Sequence, residues 1–242
     1  MQALLLAAGI GSRLRPLTDT IPKCLVPIHG RPLLDFWVTM LLDAGVDGIL
    51  INTHYLSEKV VAFVASAPWR DRVSLVYERE LLGTGGTVKA NAKFFKGDFL
   101  LAHADNLTDF DVGGFIAAHN ARPAFCAMSM LAFRTDDPRS CGILELDSNN
   151  VVQAFHEKVA NPPGNLANGA VYIVGDEVVA RVAALPGPFI DLSTEIIPNF
   201  VGRIFAVETD GYHRDIGNLE SLRRAEIEYK PSASGGASGR MP

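Results

Sequence analysis

Cysteine is scarce in this chain and badly placed for its two common structural uses. Cys24, Cys126 and Cys141 are odd in number and show no C-x-x-C spacing, so neither a disulfide framework nor a zinc site is expected and the thiols read as reduced. An excess of positive charge is lacking too: 22 Lys and Arg stand against 27 Asp and Glu, a formal net charge of -5. That excludes the overall basic field needed to hold a nucleic-acid backbone. An anionic small molecule would have to be caught locally, by a few placed cations and backbone amides. No apolar run approaches the ~20 residues of a membrane span, and the opening MQALLLAAG has neither the basic leader nor the length of a signal peptide. The expectation is a soluble, cytoplasmic protein with no nucleic-acid and no membrane partner.

What is present suits an enzyme-sized core. The chain has 242 residues, 48% of them hydrophobic, enough for one large α/β domain. ALLLAA, GILINT, VSLVY and DFLLAHAD are short apolar runs bounded by turn residues, the pattern of strands covered on both faces. Between them, Leu33, Leu34, Trp37, Met40 and Leu41 fall at helical spacing, with Gly45 as a stop. LSEKVVAFVAS and GGTVKANAKFF read as helices as well. Strand–helix alternation predicts a mainly parallel sheet, with ligands at the carboxyl ends of its strands. In the second half AFCAMSMLAF, GILELD, VVQAFHE and NGAVYIV are closely spaced strands, expected to form a small mixed or antiparallel β portion over one end of the sheet. DEVVARVAAL, STEIIPNFV and NLESLRRAEIEYK read as helices. One domain over 1–229 followed by a disordered tail over 230–242 is the simplest division.

The most informative stretch runs LAAGIGSRLRPLTDTIPK, from Leu6 to Lys23. A strand ends and a loop follows in which Gly9 and Gly11 let the backbone approach a ligand closely. Amides near Gly11 and Ser12 can then face phosphate oxygens. Arg13 can clamp two oxygens at once and Lys23 adds a compact charge. A lone G-x-G is more often just a tight turn. A Walker loop and a G-x-G-x-x-G fingerprint are both absent, the third glycine of the latter being replaced by Leu14. The whole string is far more specific: it resembles the signature of the sugar-phosphate nucleotidylyltransferase family, L-[AG]-[AG]-G-x-G-[ST]-R-L-x-P-L-T followed by P-K. The resemblance extends to about Tyr229 and implies a Rossmann-like three-layer sandwich with a mixed, mainly parallel central sheet. It implies that Leu6, Ala7, Ala8 and Gly9 hold base and ribose, that Gly11, Ser12 and Arg13 hold the phosphates, and that Lys23 lies beside the reacting α-phosphate.

Two carboxylates fit the same picture. Asp105, in HADN at the end of the fourth strand, stands where a magnesium ligand belongs, or simply starts a turn. The family places an aspartate there in G-D-N, and Ala104 replaces its glycine. Asp215 lies in GYHRDIGNLE, similar to the family's G-Y-W-x-D-I-G-T-P-E, with His213 for Trp. Taken alone, Asp215 would cap the following helix. Read with the motif, Asp105 and Asp215 together hold one Mg2+.

Further segments match less closely. Glu80 opens a loop like the family's E-P-L-G-T-[AG]-G, in which Gly83, Thr84 and Gly85 would meet the base. Glu157 and Lys158 resemble F-x-E-K-P, the Glu for sugar hydroxyls and the Lys for the sugar phosphate, with Val159 replacing Pro. Asn168 and Gly169 match N-[AT]-G-[IV]-Y with Gly169 and Ala170 in swapped order. Asp191 and Glu195 resemble D-x-x-x-[DE]-x-[IL]-P, although a capped helix explains them almost as well. Asn106 completes the sugar-side set. The implied activity is transfer of a nucleotidyl group from a nucleoside triphosphate to a sugar 1-phosphate, with Arg13, Lys23 and Asp105 catalytic and Mg2+ as cofactor. The run LTDTIPKCLVPI with LGTGGT looks most like guanylyltransferases of the mannose or manno-heptose type, which serve capsule and lipopolysaccharide synthesis. A uridylyltransferase of the muramate or glucose type is the runner-up, and a homodimer is compatible with either. A silent regulatory subunit is disfavoured because Arg13, Lys23 and both aspartates are present. A glycosyltransferase is disfavoured because A-D-N-L is not a D-x-D, and the D-F-D at Asp109 and Asp111 falls where a helix should start.

Overall fold

The first half of the chain alternates β1 (Gln2–Leu6), a small hairpin of β2 (Pro27–Ile28) and β3 (Arg31–Pro32), α1 (Leu33–Asp43), β4 (Gly48–Thr53), α2 (Ser57–Ser66), β5 (Val73–Tyr77), α3 (Gly83–Asn91), β6 (Phe99–His103), β7 (Asn106–Thr108) and α4 (Val112–Asn120). The second half adds β8 (Met128–Arg134), β9 (Gly142–Leu146), β10 (Val152–Glu157), β11 (Leu166–Val174), α5 (Asp176–Ala184), β12 (Ile204–Glu208), β13 (His213–Asp215) and α6 (Leu219–Glu228). This computed structural model describes residues 1–230, so the expected tail over 230–242 lies, apart from Lys230, outside the described residues.

β1 lies between β4 and β6, parallel to both, and β5 continues the parallel half beyond β4. The chain first winds outward through β4 and β5 and then returns to the other side of β1. That reversal leaves a crevice outside the carboxyl ends of β1 and β6, the usual ligand position in such sheets. Leu6 stands opposite His103 in the register, so the loop after Leu6 and the turn at Asp105 are neighbours before any side chain is considered.

The strands of the second half extend this same sheet instead of lying over one end of it. β11, nine residues long, runs antiparallel to β6, β8 and β9, with a bulge between Asn168 and Tyr172. β8 pairs parallel with β12 and β9 pairs antiparallel with β10, which makes nine strands in all. A strand of that length can join a parallel half to an antiparallel one without a layer change.

Alternate residues of each buried strand feed opposite faces. Ala3 and Leu5 pack with Trp37 and Leu41 of α1, Val60 of α2 and Phe115 of α4. Leu4 and Leu6 pack with Val88 of α3 and Val178 and Val182 of α5. A third cluster of Leu14, Val26, Ile28, Phe36, Leu107, Ile216 and Tyr229 ties the N-terminal loop to β7, β13 and α6. At about 1.5–3 kcal/mol for each fully buried aliphatic or aromatic side chain, that cluster is ample to fix where the loop lies. The helix expected over STEIIPNFV is broken into one wide turn, Leu192–Ile196, and a 3₁₀ turn, Ile197–Phe200. Pro198 supplies the reason, since it has no N–H for a continuing α-helical ladder.

Candidate active site

Asp105 and Asp215 meet because β7 and β13 pair. In that short antiparallel ladder Asp215 stands opposite Asn106 and His213 opposite Thr108, and the Ile216 amide donates to the Asp105 carbonyl at 3.2 Å. The aspartate far along the chain is therefore carried to the end of β6 by backbone pairing. Lys23 arrives from the N-terminal loop and places its Nζ 2.5 Å from Asp105 Oδ2 and 3.2 Å from Asp215 Oδ1. An Arg13 guanidinium nitrogen lies 3.9 Å from Asp215 Oδ2. The expected convergence of one cationic loop and two remote carboxylates is thus met in the geometry.

The electrostatics are strong because the group is partly buried. Burial works to raise the Asp105 carboxyl, but Lys23, with His103 adding to it, outweighs burial and holds it below the usual carboxylate range. Burial likewise works against the Lys23 charge, and Asp105 and Asp215 more than offset it, so the ammonium is held above its ordinary range. Both ion-pair partners are charged at neutral pH. Asp215 does not cap the last helix: Asn218 does, in a capping box with Ser221, which leaves the Asp215 side chain without that competing duty. The acidic pair at Asp109 and Asp111 divides as expected, Asp111 capping α4 through Gly114.

The N-terminal loop is shaped as a cradle. Gly11 has φ +68, and a Cβ there would stand 3.1 Å from both the Lys23 Cβ and the Thr18 Cγ2. Thr18 Oγ1 donates to the Gly11 carbonyl at 2.8 Å and holds the turn shut. No protein group among the described residues accepts from the amides of Gly9 to Ser12. Free amides around a left-handed glycine form an anion-binding concavity. Leu6, Ala7 and Ala8 lie buried just before it, and Gly9, Ser12 and Arg13 are exposed.

Three residues that the sequence reading passed over fix this cradle. Asn52, Glu78 and Thr87 are each less than 5% exposed. The Ala7 amide donates to Asn52 Oδ1 at 2.7 Å, and Asn52 Nδ2 donates to Glu78 Oε1 at 2.9 Å. Thr87 Oγ1 donates to the same oxygen at 2.6 Å, and the Leu82 amide donates to Glu78 Oε2 at 3.3 Å. Polar residues at the carboxyl ends of two apolar runs were the available signal. Glu80, the expected contact, is exposed two residues further on and takes no part in this network.

The loop after β5 differs from the first. The Gly85 and Gly86 amides donate to the Ile190 carbonyl at 2.9 and 3.2 Å, and Thr84 Oγ1 accepts from the Leu192 amide at 2.7 Å. A Cβ on Gly83 would lie 2.5 Å from the Ile190 oxygen, and one on Gly86 would lie 2.2 Å from the Pro188 oxygen. These glycines are required by packing against residues 188–192.

The sugar-side candidates gather around Tyr172. Asn168 Nδ2 donates to the Tyr172 hydroxyl at 2.7 Å. Burial above all pushes that phenol up, with Glu157 and Asp191 adding to it and Asn168 and Ser193 opposing. The swapped Gly169 and Ala170 have a physical reason: a Cβ on Gly169 would meet the Leu131 carbonyl at 3.0 Å and His213 Cε1 at 3.3 Å. Ala170 accordingly takes the left-handed backbone, φ 52, and its amide donates to Asn168 Oδ1 at 2.9 Å. Asn106 Nδ2 donates to the Gly169 carbonyl at 3.2 Å and joins this group to the carboxylates. Lys158, also at positive φ, is exposed and 3.2 Å from Glu157. Asp191 and Glu195 form a reciprocal cap, the Thr194 amide donating to Asp191 and the Asp191 amide to Glu195.

The fold and this site define an α/β scaffold in which a cationic glycine loop meets two carboxylates at the strand ends, and comparison with known proteins gives the family. Residues 2–231 match the nucleotidyl transferase family model, and the chain belongs to that family. It is 29% identical to mannose-1-phosphate guanyltransferase of Candida albicans over 97% of this chain and 66% of that protein. It is 28% identical to UTP–glucose-1-phosphate uridylyltransferase of Synechocystis over 93% of this chain and 62% of that protein. The chain therefore spans just under two thirds of the length of these curated relatives. Among solved structures it resembles HddC from Yersinia pseudotuberculosis complexed with GMP-PN, with TM-score 0.79 and 26% identity, covering 95% of this chain and 99% of that one.

Proposed function

We propose that residues 1–229 form a sugar-1-phosphate nucleotidylyltransferase that takes GTP and a mannose- or manno-heptose-type sugar 1-phosphate and releases pyrophosphate. The observation that carries this reading is the single ammonium of Lys23 held between Asp105 and Asp215 beside a loop with free amides. The donor set fits magnesium: two carboxylate oxygens share one cation position, and a hard cation takes its remaining ligands from water and phosphate. Magnesium bound there supplies charge neutralisation for the reacting phosphates.

The remaining work falls to the chain. The Gly9–Ser12 amides and Arg13 hold the triphosphate, with Leu6 to Gly9 and the Glu80–Gly85 loop against base and ribose. Lys23 neutralises the α-phosphate as an oxygen of the sugar phosphate attacks phosphorus in line and pyrophosphate departs. Glu157, Asn168 and Gly169, bordered by Asn106, Asp191 and Glu195, receive the sugar, and Lys158 holds its phosphate. No covalent intermediate is required, because positioning two polyanions and spreading developing charge is sufficient. The similarity to a guanyltransferase and to a GMP-PN complex favours guanine, and the product suits surface-polysaccharide synthesis in the cytoplasm. A uridylyltransferase reading is favoured by the Synechocystis relative, of nearly equal identity.

A pyrophosphate-release assay across four nucleoside triphosphates and a panel of sugar 1-phosphates, mannose and manno-heptose first, tests the reading. GTP with one of those sugars should give turnover that Lys23→Ala or Asp105→Ala abolishes while the fold persists. Near-normal rates in either variant would sink these roles, and preference for UTP would transfer the conclusion to the second reading.

A further inference from the structure

The position between the two aspartates is filled by the chain's own cation. Lys23 Nζ touches both carboxylates, and its side chain is only 9% exposed. A divalent cation held by Asp105 and Asp215 would need the volume the ammonium now holds. An ammonium and a dication cannot share that volume, since like charges at contact distance repel strongly. We propose that Lys23 and the divalent cation are alternative occupants of the Asp105–Asp215 pair, so that the protein binds the cation poorly until a triphosphate draws the ammonium away. The inference rests on the nucleotidyl transfer reading and assigns an order of binding within it.

Three features make the exchange possible. The Lys23 Cβ and Cγ pass 3.1 and 3.5 Å from where a Gly11 Cβ would stand, so the stem runs along the cradle whose amides are free. A lysine stem has four rotatable bonds and can carry its ammonium from the carboxylates to a phosphate on that loop while Cα stays in place. Asp215 is more than half exposed, which leaves a solvent-facing path for a hydrated cation. Arg13, 3.9 Å from Asp215, is a second cation that a triphosphate on the same loop would draw off. The arrangement also has a protective sense: without nucleotide, two converging carboxylates are neutralised internally and offer no charged trap to stray cations.

The test is Mn2+ binding by the full chain, followed by water-proton relaxation. Wild type should show weak binding alone and strong enhancement once a non-hydrolysable GTP analogue is added. Lys23→Met, which keeps the stem and removes the charge, should bind Mn2+ without nucleotide at least roughly tenfold more tightly than wild type, the modest end of what removing a unit charge at this range gives. Lys23→Arg, still cationic, should remain weak. Should Lys23→Met fold poorly, the wild-type measurement stands by itself, and Mn2+ should raise the melting temperature of Lys23→Met and leave that of nucleotide-free wild type unchanged. Wild type that binds Mn2+ as tightly without nucleotide as with it overturns the exchange and leaves the enzyme reading standing. Failure to bind a non-hydrolysable analogue of any of the four nucleoside triphosphates overturns both.

Discussion

Two glycine-rich turns look alike in the sequence and differ in the folded protein. The turn at Gly9–Ser12 leaves its amides without acceptors among the described residues, whereas Gly85 and Gly86 donate to Ile190 and a side chain on Gly86 would strike the Pro188 carbonyl. The first turn has unmet hydrogen-bonding capacity aimed outward, which is what a ligand can use. The second has spent the Gly85 and Gly86 amides on a neighbouring segment, so packing already requires glycine there whatever the loop offers a base. A glycine turn signals a ligand when its donors are idle.

Arg13→Ala gives the largest effect that separates the two turns. The Arg13 side chain is 69% exposed, so its loss should leave the melting temperature unchanged. Removing a preorganised charge contact to the transferring phosphates should lower turnover by about 10²–10³. Steady-state pyrophosphate release together with a thermal melt checks this, and a rate within threefold of wild type would mean the cradle does not grip the triphosphate. Gly86→Ala should do the reverse. Its Cβ must displace backbone, an overpacking that destabilises by roughly 1–3 kcal/mol or more, while the folded fraction keeps near-normal turnover. Urea denaturation reads the first quantity and activity per folded molecule the second. If Gly86→Ala instead raised KM for the nucleotide with no loss of stability, Gly86 would be a ligand contact and not a packing position.

A pH series asks whether acid weakness belongs to the site or to the scaffold. His119 is fully buried at the end of α4, its Nδ1 paired with Ser129 Oγ and its Nε2 with Asp98, both at 2.8 Å. Burial, the largest influence, moves this imidazole below its ordinary value of 6.5 in spite of Asp98. The folded protein thus binds fewer protons than the unfolded chain as pH falls through that value. Stability is fully present above about pH 6.5 and declines below it. Urea midpoints at about pH 7.5 and about pH 5.5 should differ accordingly, and His119→Gln should flatten that part of the slope. An unchanged slope would assign the acid response to other groups.

Legibility followed the same division. The parallel half was readable because β1, β4 and β6 are apolar without alternation and bounded by turns, and the cradle because its motif is long. Asp105 and Asp215 could be paired only through the motif, since the β7–β13 ladder that joins them is three residues a side and has no periodicity to detect. Asn52, Glu78 and Thr87 escaped because a buried polar network is defined by partners far apart in the chain. The mixed, mainly parallel sheet was expected, but not that the late strands extend it, because which strand β11 joins is decided by long-range pairing. The broken helix after Asp191 was not legible because Pro198 acts locally against an otherwise helical pattern.

The smallest prediction addresses the least distinctive candidates, Asp191 and Glu195. Asp191 Oδ1 accepts from the Thr194 amide at 2.9 Å and from the Thr194 hydroxyl at 3.0 Å, while Glu195 Oε2 accepts from the Asp191 amide at 2.7 Å. A pair so fully engaged in closing a turn has little left to offer a sugar. Asp191→Ala removes a helix cap and should reduce stability by about 1 kcal/mol. The turn it closes also carries Leu192, which is seated on Thr84, so the loss should loosen the segment that packs against the Gly83–Gly86 turn. KM for the sugar 1-phosphate should then move by less than about threefold, whereas Lys158→Ala, whose ammonium is exposed and paired with Glu157, should raise it by roughly tenfold. A large KM effect for Asp191→Ala with unchanged stability would move Asp191 from scaffold to substrate contact.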